Sequence, residues 1–314
     1  MPGSPEKLDV CIVTWRSRDL LRACLRSVVG QSELGAIIVV DNASGDGTVE
    51  MVREQFPEAH LIANGRNAGF AAANNQAIGV GDSPFVLLLN PDTEVQSGAL
   101  GAMIGAFGGE GKGETPVAPV GAVAAQLALP DGRVQRSCRS FPEPAAVLYD
   151  AVGLARLFPR SQTLGRYRMT YWGHDSRREV DQPMASALAV RRRVLDEVGL
   201  FDEDFPLYFN DVDLCYRVKQ AGWKIVFEPE ARVTHHFGAS STWQVRPAAI
   251  MDSHCSLMRF YRKHYRGRVC WCGYAAVIAL AWLTMWPRAG IAWLAQALRR
   301  TARPSAQPWP SPRR

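Results

Sequence analysis

Short apolar runs alternate with amphipathic stretches along the first 90 residues. The apolar runs predict buried strands, which are Val10–Thr14, Ile37–Asp41, Leu61–Ala63 and Phe85–Leu89. The stretches between them have apolar residues at helical spacing and predict helices from Asp19, over Thr48–Gln55 and over Phe70–Ile78. Because strand–helix alternation with such short connections is typical of a parallel, doubly wound sheet, the pattern predicts an α/β fold.

A second patterned block occupies residues 184–236. It predicts a strand over Ala185–Val190, a helix through Val194 and Leu195, a helix over Asp211–Ala221 ended by Gly222, and a strand over Lys224–Phe227. Between the blocks, the sequence predicts a loose helix and loop over Gly101–Pro119, a hairpin turn at Asp131-Gly132 and a helix over Ala145–Leu157.

The composition is that of a globular protein with an uneven distribution of charge. The 314 residues are 47% hydrophobic and 21% charged, which excludes a disordered, collagen-like or coiled-coil chain. The net charge is +6, but 11 of the 36 basic residues follow Asp252, the last acidic residue. The first 252 residues therefore carry 25 basic and 30 acidic residues, and the basic segment after them is of the kind that meets phosphate on nucleic acid or on a membrane.

Several common signals are absent from the sequence. The seven cysteines have neither disulfide nor zinc spacing and their number is odd, so we predict reduced thiols. The polar N-terminus predicts no signal peptide. Gly111-Lys112 would belong to a phosphate-binding P-loop only with glycine in place of Ala106 and Ser or Thr in place of Gly113, so a P-loop is excluded.

Polar side chains follow the predicted strands of the first block. Thr14 ends the first strand, Asp41 ends the second, and Asn90 and Asp92 follow the fourth. Ligands of doubly wound sheets bind at the carboxyl ends of the strands, and carboxylates there are ligands for a divalent cation that would stabilise a diphosphate leaving group. The alternative is that Asp41 and Asp92 cap the elements that follow them.

The second block contains two further polar groups. Asp211 and Asp213 begin a predicted helix about 200° apart, so one is a candidate general base and the other has a separate role. The alternative is that both are solvated acids that favour the helix dipole. His235 and His236 face opposite sides of a strand, so at most one is expected to reach a metal, and the alternative for that one is a packed histidine.

A series of motifs resembles a known family in content and in order. The motifs are Val10-Cys11-Ile12-Val13-Thr14, Val39-Val40-Asp41-Asn42-Ala43-Ser44, Asn67-Ala68-Gly69-Phe70-Ala71-Ala72-Ala73-Asn74-Asn75, Leu88-Leu89-Asn90-Pro91-Asp92-Thr93, Gly199-Leu200-Phe201-Asp202-Glu203, Tyr208-Phe209-Asn210-Asp211-Val212-Asp213-Leu214-Cys215 and Ala221-Gly222-Trp223. Over residues 8–265 the chain resembles the inverting family-2 glycosyltransferases of the GT-A fold, especially the rhamnosyltransferase-like branch that elongates bacterial cell-surface glycans. The resemblance implies a Rossmann-like, nucleotide-binding mixed α/β sheet flanked by helices.

The resemblance also implies roles for single residues. Asn90-Pro91-Asp92 resembles the family's Asp-x-Asp element, in which Asp92 matches the metal-binding carboxylate and Asn90 replaces the first Asp. The matches to nucleotide-binding positions are Thr14 and Asp41 for the base and ribose, and Asn67, Gly69 and Asn75 for the loop and helix that close over the nucleotide. Asp211 matches the catalytic base, and His235 matches a histidine that helps to hold the metal.

The implied activity is metal-dependent, inverting transfer of a sugar. The implied donor is a nucleoside-diphosphate sugar, dTDP-rhamnose, the cofactor is Mg²⁺ or Mn²⁺, and the acceptor is a hydroxyl of a lipid-linked or cell-surface glycan. The alternatives are a galactofuranosyl or hexosyl donor, and an inactive nucleotide-sugar-binding scaffold. Two departures from the family pattern bear on these alternatives, because Asn210 stands where the family usually has Glu and Ser186-Ala187 where it usually has Gly-Ala.

The C-terminal segment is apolar and rich in tryptophan. Val269–Pro287 is 19 residues without a formal charge and would be about 28 Å long as a helix. Pro287 and Gly290 interrupt the regularity of the pattern. On a single helix, four tryptophans fall within an arc of about 60°, and they are Trp271, Trp282, Trp286 and Trp293. A tryptophan face flanked by Arg and Lys predicts a helix that lies at a membrane surface, with a spanning helix and a core-packed helix as alternatives. Because no nucleic-acid-binding fold accompanies the basic segment, we predict a membrane partner and no nucleic acid.

These observations predict four regions. The first is a glycosyltransferase domain at 1–244, with a nucleotide-binding half at about 8–95 and an acceptor half at about 120–244. It is followed by a basic helix at 245–268, a membrane-associated helical segment at 269–300 and a disordered basic tail at 301–314. The predicted location is the cytoplasmic face of the bacterial inner membrane.

Overall fold

The computed structural model describes residues 6–108, 119–236 and 247–301, with side chains as far as residue 297. The strands are β1 (Leu8–Thr14), β2 (Leu34–Asp41), β3 (His60–Ala63), β4 (Phe85–Leu89), β5 (Thr93–Val95), β6 (Val120–Ala128), β7 (Cys138–Arg139), β8 (Arg178–Glu179), β9 (Gln182–Pro183), β10 (Ala187–Arg191) and β11 (Lys224–His235). The helices are α1 (Arg18–Val28), α2 (Thr48–Gln55), α3 (Phe70–Ile78), α4 (Ala99–Ala106), α5 (Pro144–Ala151), α6 (Leu154–Leu157), α7 (Arg192–Val198), α8 (Asn210–Gln220), α9 (Pro247–Phe260) and α10 (Trp271–Thr301). The chain divides into two compact units, Met1–Thr242 and Trp243–Arg314.

The first unit is built on a mixed sheet. Its strand order is β3-β2-β1-β4-β10-β6-β11-β5, and β8 pairs with β11. The strands β3, β2, β1 and β4 are parallel, as the sequence predicts. Beyond β4 the sheet is mixed, as the family resemblance implies, because β10 inserts antiparallel between β4 and β6, two strands that share one direction. The reversed strand enters from the rim where β4 ends and so brings the residues before β10 to that rim.

Two helix and strand predictions are corrected within the first unit. The helix predicted over Ala145–Leu157 is two helices, α5 and α6, because Gly153 between them has φ of 78°, a left-handed conformation that ends a helix. The strand predicted to end at Phe227 continues as β11 to His235. A register shift between Glu228 and Arg232 accommodates Pro229, which hides the continuation in the sequence. The end of the Gly101–Pro119 prediction, including Gly111-Lys112, lies outside the described residues.

Helices cover both faces of the sheet. Along β1, Leu8, Val10 and Ile12 face one buried cluster, which includes the apolar residues of α1, α2 and α4. Cys11 and Val13 face a second cluster, which includes those of α3, α7 and α8. Because successive side chains of a strand point to opposite faces, a strand buried on both sides is apolar throughout, as the sequence of β1 is.

A buried ion pair connects four elements at the end of the sheet opposite the strand carboxyl ends. The carboxylate of Asp9 accepts hydrogen bonds from the amides of Ala36 and Ser83, each at 2.9 Å, and from the Ser83 hydroxyl at 2.6 Å. The Arg192 guanidinium donates to Asp9 at 3.0 Å and to the carbonyl oxygen of Ile78 at 3.0 Å. This ion pair therefore holds β1, β2, the turn before β4 and α7 together.

We expect Asp9→Ala to lower the free energy of unfolding by about 3–5 kcal/mol, because it leaves the Arg192 charge buried without its partner. Urea unfolding followed by far-UV circular dichroism measures the change. The control is Asp19→Ala, since Asp19 pairs with Arg22 at the surface and its side chain is 73% exposed. A control variant as destabilised as Asp9→Ala would contradict the role of the buried pair.

The second unit contains two helices. The helix α10 packs on α9, and His254 Nε2 of α9 lies 3.2 Å from Thr284 Oγ1 of α10. The buried residues of α10 form one stripe, which is Val277, Ala281, Met285, Ala289 and Ala292. The helix α10 continues through Pro287 and Gly290, and Pro287 has no N–H to donate to the carbonyl of Leu283. A π-helical turn over Tyr261–Tyr265 follows α9. The tail prediction for 301–314 lies outside the described residues from 302 onward.

Exposed apolar side chains cover much of the rest of α10. The four tryptophans of the predicted arc are 50–78% exposed, and Leu283, Ile291 and Leu294 are exposed beside them. Residues Trp271–Ala297 are long and apolar enough to cross a membrane, with a mean hydropathy of 1.4 and 28% of the apolar window buried.

Candidate functional site

The carboxyl ends of β1, β2 and β4 meet at one rim of the sheet. Thr14 and Asp41 are the last residues of β1 and β2 and pair directly in register. Asn90 and Asp92 follow β4, the neighbour of β1 on its other side. The strand order reverses between β1 and β4, and ligands of open α/β sheets bind at such a switch point.

At the ends of β1 and β2, two buried polar atoms have no hydrogen-bond partner among the described residues. They are Oγ1 of Thr14 and Oδ1 of Asp41, whose residues are 0% and 2% exposed. The other carboxylate oxygen of Asp41 accepts a hydrogen bond from the amide of Ser44 at 3.1 Å. The capping alternative therefore explains one oxygen of Asp41 and leaves the second oxygen without a function in the fold. An unsatisfied buried polar atom destabilises a protein by about 1–3 kcal/mol, and its retention is typical of a binding site.

A loop beside β2 is held by Asn42. Its side-chain oxygen accepts hydrogen bonds from Asn64 Nδ2 at 3.0 Å and from the amide of Ala68 at 3.3 Å, and its Nδ2 donates to the carbonyl of Gly69 at 3.1 Å. Asn67 is exposed, and its side-chain oxygen accepts from the amide of Gly69 at 2.9 Å. Gly69 has φ of 87°, which L side chains rarely adopt, so this turn requires glycine. The roles of Asn67 and Gly69 toward a nucleotide stay predictions, and Asn42 is a positioning residue that the sequence analysis did not assign.

Asn75 connects α3 to the segment that leads into α8. Its Nδ2 donates to the carbonyl of Phe201 and its Oδ1 accepts from the amide of the same residue, each at 2.9 Å. The amide of Phe70 donates to the carbonyl of Pro206 at 3.1 Å. Both halves of the Asn75 amide are thus engaged with the loop at 201–206, and the predicted contact of Asn75 with a nucleotide stays a prediction.

Asp92 and His235 lie side by side. His235 Nε2 is 3.4 Å from Asp92 Oδ1, and both residues are at least 96% buried. His235 Nδ1 is 2.7 Å from the side-chain oxygen of Gln135, which only accepts hydrogen bonds, so Nδ1 carries the proton. In the neutral ring, Nε2 then presents a lone pair toward a carboxylate oxygen. A histidine that donates its other N–H to a protein oxygen in this way is the usual arrangement of a metal ligand.

His236 is directed elsewhere. Its Nε2 lies 2.6 Å from Glu94 Oε1, and its side chain is partly exposed. The amide of His236 donates to the carbonyl of Asp92 at 2.8 Å, which fixes the end of β11 beside Asp92. The opposite directions of the two histidines follow from their adjacent places at a strand end.

The donor set at Asp92 and His235 fits a divalent cation only together with oxygen atoms of a ligand. Among the described residues, no group of three or more His, Cys, Asp or Glu side chains is placed to hold a metal. A carboxylate and an imidazole suit Mn²⁺, and a Mg²⁺ or Mn²⁺ site in a phosphoryl-binding protein commonly draws its other ligands from phosphate and water.

Asn90 pairs with a residue 96 positions later in the chain. Its Nδ2 donates to Ser186 Oγ at 3.0 Å, and its amide donates to the carbonyl of Ser186 at 3.0 Å. Ser186 stands where the resembled family usually has glycine, so this departure from the family pattern contacts the residue that replaces the first Asp of the Asp-x-Asp element. Sequence reasoning missed the pair because nothing local connects residues so far apart.

The first turn of α8 holds the candidate base. Asp211 is partly buried, and its side chain accepts a hydrogen bond from the amide of Val212 at 2.8 Å. Burial raises the pKa of Asp211 above its ordinary value, against the opposing effects of the amides of Val212 and Ala185 and of the positive charge of Arg139. A carboxylate with a raised pKa is a stronger base once ionised.

The neighbours of Asp211 are structural. Asn210 is buried, and its Nδ2 donates to the carbonyl of Leu207 at 2.8 Å, which stabilises the loop before α8. Asp213 is fully buried and accepts from Arg217 Nε at 2.8 Å, so the alternative that it is a solvated acid is wrong. Phe209, just before the helix, has φ of 67°, which is strained for an aromatic residue and typical of a functional site.

Comparison with known proteins assigns the family. The profile of Glycosyl transferase family 2 matches residues 9–119. An N-acetylglucosaminyl-diphospho-decaprenol L-rhamnosyltransferase of Mycobacterium tuberculosis is 31% identical over 272 residues, which are 83% of this chain and 85% of the relative. The chain belongs to glycosyltransferase family 2. The succinoglycan biosynthesis protein ExoU of Rhizobium meliloti is 27% identical over 262 residues, 81% of this chain and 67% of that protein.

The fold of this family-2 glycosyltransferase agrees with solved structures. A mannosyltransferase from Pyrobaculum calidifontis, in complex with GDP-Man and Mn²⁺, superposes with a TM-score of 0.53 at 19% identity, covering 95% of this chain and 78% of that one. TarS of S. aureus gives the same TM-score at 14% identity, with 89% of this chain and 71% of that one covered. The predicted GT-A fold is confirmed, and the enzyme is a glycosyltransferase similar to rhamnosyltransferases.

Proposed function

We propose that this glycosyltransferase moves rhamnose from dTDP-rhamnose to a hydroxyl of a diphosphate-linked lipid glycan, with inversion and with Mg²⁺ or Mn²⁺. The observation that carries the metal dependence is the Asp92–His235 pair, in which Nδ1 donates to Gln135 and Nε2 lies 3.4 Å from Oδ1 of Asp92. The choice of rhamnose and of the acceptor class is supported by the relative from Mycobacterium tuberculosis.

Each group of site residues has a separate role in an inverting transfer. Asp92 and His235 would hold the cation, which neutralises charge on the departing diphosphate. Thr14 and Asp41, whose buried oxygens have no partner among the described residues, bind the nucleoside, and the Asn67–Gly69 loop closes over it. Asp211 accepts the proton of the acceptor hydroxyl as its oxygen attacks the anomeric carbon, and the sugar–phosphate bond breaks with its electrons on the dTDP oxygen. One base and one stabilised leaving group are sufficient for inversion.

A thermal-shift screen tests the donor and the metal. We expect dTDP-rhamnose with Mn²⁺ to stabilise the enzyme, because a ligand at 100 times its dissociation constant adds about 2.7 kcal/mol to the free energy of unfolding. UDP-galactofuranose, UDP-glucose and GDP-mannose are the comparison donors. A larger shift with one of these would contradict the assignment of the sugar, and an equal shift in the presence of EDTA would contradict the metal dependence.

The C-terminal helix α10 supplies the membrane association that a lipid-linked acceptor requires. Its exposed face carries Trp282, Trp286 and Trp293, which are 50%, 56% and 61% exposed, and the opposite stripe is buried. Amphipathic aromatic rings prefer the headgroup region of a bilayer. One side of α10 packs on α9 and the other side is apolar, so the helix lies on the membrane surface without crossing it. The surface is the cytoplasmic face of the inner membrane, where nucleotide sugars are available.

We expect the full chain to sediment with phosphatidylglycerol vesicles and the triple variant Trp282→Ser, Trp286→Ser, Trp293→Ser to stay in the supernatant, because the variant loses the exposed rings that enter the interface. The control is Phe158→Ser, which removes an apolar side chain that is 53% exposed in the first unit. Equal sedimentation of the triple variant and the unchanged chain would refute the role of α10.

A further inference from the structure

An arginine without an ion pair lies beside the candidate base. Arg139 is the second residue of the short strand β7 and is partly buried. Among the described residues, no carboxylate forms an ion pair with it, whereas nearby Arg166 pairs with Glu143 and Arg168 with Asp150. The positive charge of Arg139 acts on Asp211, and among the described residues no carboxylate lies within ion-pair distance of it.

Backbone hydrogen bonds fix the place of Arg139 relative to Asp211. Arg139 pairs with Gln182 of β9, and the amide of Met184 donates to the carbonyl of Ser137 at 3.0 Å. The chain that leaves β9 then brings the amide of Ala185 to the carboxylate of Asp211, and α8 packs on β9. Arg139 and the candidate base are therefore connected through the same short two-stranded ladder.

Tyr167 supports the guanidinium from one side. The centre of the Arg139 guanidinium is 5.8 Å from the centroid of the Tyr167 ring, and the amide of Ser140 donates to the carbonyl of Tyr167 at 3.1 Å. An arginine that stacks on an aromatic ring keeps its planar N–H groups available at its edge, and this fork matches the oxygen atoms of a phosphate.

Resting on the proposed function, we propose that Arg139 binds the phosphate of a diphosphate-linked acceptor and so places the acceptor hydroxyl at Asp211. The ligand chemistry is a phosphate monoanion or diphosphate, which both substrates of the reaction contain. The donor diphosphate is assigned to Asp92 and His235 at the ends of β4 and β11, whereas Arg139 is fixed to the strand that contacts Asp211. The anion at Arg139 therefore belongs to the molecule whose hydroxyl Asp211 deprotonates.

Two acceptors that differ only in the phosphate test this assignment. One is N-acetylglucosaminyl diphosphate on a farnesyl chain, and the other is the neutral octyl N-acetylglucosaminide. For Arg139→Gln we expect kcat/KM to fall about tenfold to a hundredfold with the diphosphate acceptor, the loss of a charge-assisted hydrogen bond, and to stay within about twofold with the neutral one. Arg139→Lys keeps the positive charge but loses the planar pair of N–H donors. Its kcat/KM with the diphosphate acceptor is expected to lie between those of the unchanged enzyme and Arg139→Gln. The control is Arg133→Gln, whose side chain is 76% exposed on a surface hairpin.

An equal loss of kcat/KM with both acceptors would overturn the assignment and indicate that Arg139 acts on Asp211. A raised KM for dTDP-rhamnose would overturn it and indicate that Arg139 binds the donor. A binding arm keeps the test independent of turnover: the farnesyl-linked probe is titrated by tryptophan fluorescence into the full chain saturated with dTDP and Mn²⁺. We expect about tenfold weaker binding for Arg139→Gln at an unchanged melting temperature, and unchanged binding would refute the phosphate site. If the unchanged enzyme transfers to neither acceptor but binds the probe through Arg139, the proposed reaction fails and the phosphate site stands.

Discussion

Replacing Asp211 by asparagine is expected to lower the rate of sugar transfer by about 10²- to 10⁴-fold, because the acceptor hydroxyl loses the group that takes its proton. The variant keeps the size of the side chain and the hydrogen bond from the Val212 amide, so donor binding is expected to be retained. Single-turnover transfer assays and donor titration of the same preparation measure the two effects. Near-normal turnover in the variant would contradict the role of Asp211.

The same base predicts the direction of the pH dependence. Burial raises the pKa of Asp211, so its carboxylate is lost on acidification at a higher pH than that of an exposed aspartate. Activity is therefore expected to fall as the pH decreases through this raised pKa. The neighbouring carboxylate provides a control, because Asp213→Asn removes the same charge from α8 but breaks the buried contact with Arg217. That variant is expected to lose stability while each folded molecule keeps its turnover.

The second large effect is expected for Asp92→Ala, which should abolish stabilisation of the enzyme by the donor with Mn²⁺. Asp92 is 4% exposed beside His235 and would supply negative charge for a cation that binds the donor diphosphate. Thermal shifts with dTDP-rhamnose, with and without EDTA, measure the loss.

Glu94→Ala is the matched control for Asp92→Ala. Glu94 lies two residues away on β5, and its carboxylate contacts the partly exposed His236 instead of His235. The variant Glu94→Ala is expected to leave the metal-dependent thermal shift by the donor unchanged. A donor shift in Asp92→Ala equal to that of the unchanged enzyme would show that the cation is held elsewhere or is not used.

Local patterns predict the strand ends of the site and little of what surrounds them. The apolar runs and short connections are sufficient to place Thr14, Asp41 and Asp92 at one rim, because parallel strands joined by helices end on the same side. The antiparallel insertion of β10 is not predictable from alternation, since its position depends on a gap between β4 and β6 that forms only in the folded sheet.

Contacts between distant segments account for what the sequence analysis missed. Gln135 is 100 residues from His235, and Arg139 approaches Asp211 only through the β7–β9 ladder. The two acids of α8 also depend on more than local pattern. Helical geometry predicts that Asp211 and Asp213 point in different directions, but it does not predict that Arg217 pairs with Asp213. The helix α10 includes Pro287, because packing of α10 on α9 offsets the low helix propensity of proline.

The most direct test of the account is transfer itself, followed by NMR spectroscopy with the full chain, dTDP-rhamnose, Mn²⁺ and the farnesyl-linked N-acetylglucosaminyl diphosphate. The account predicts that dTDP appears only when the acceptor is present, in equal amount to a single rhamnosyl product whose anomeric configuration is inverted relative to the donor. Release of dTDP without product, a product with retained configuration, or an unconsumed donor would contradict it.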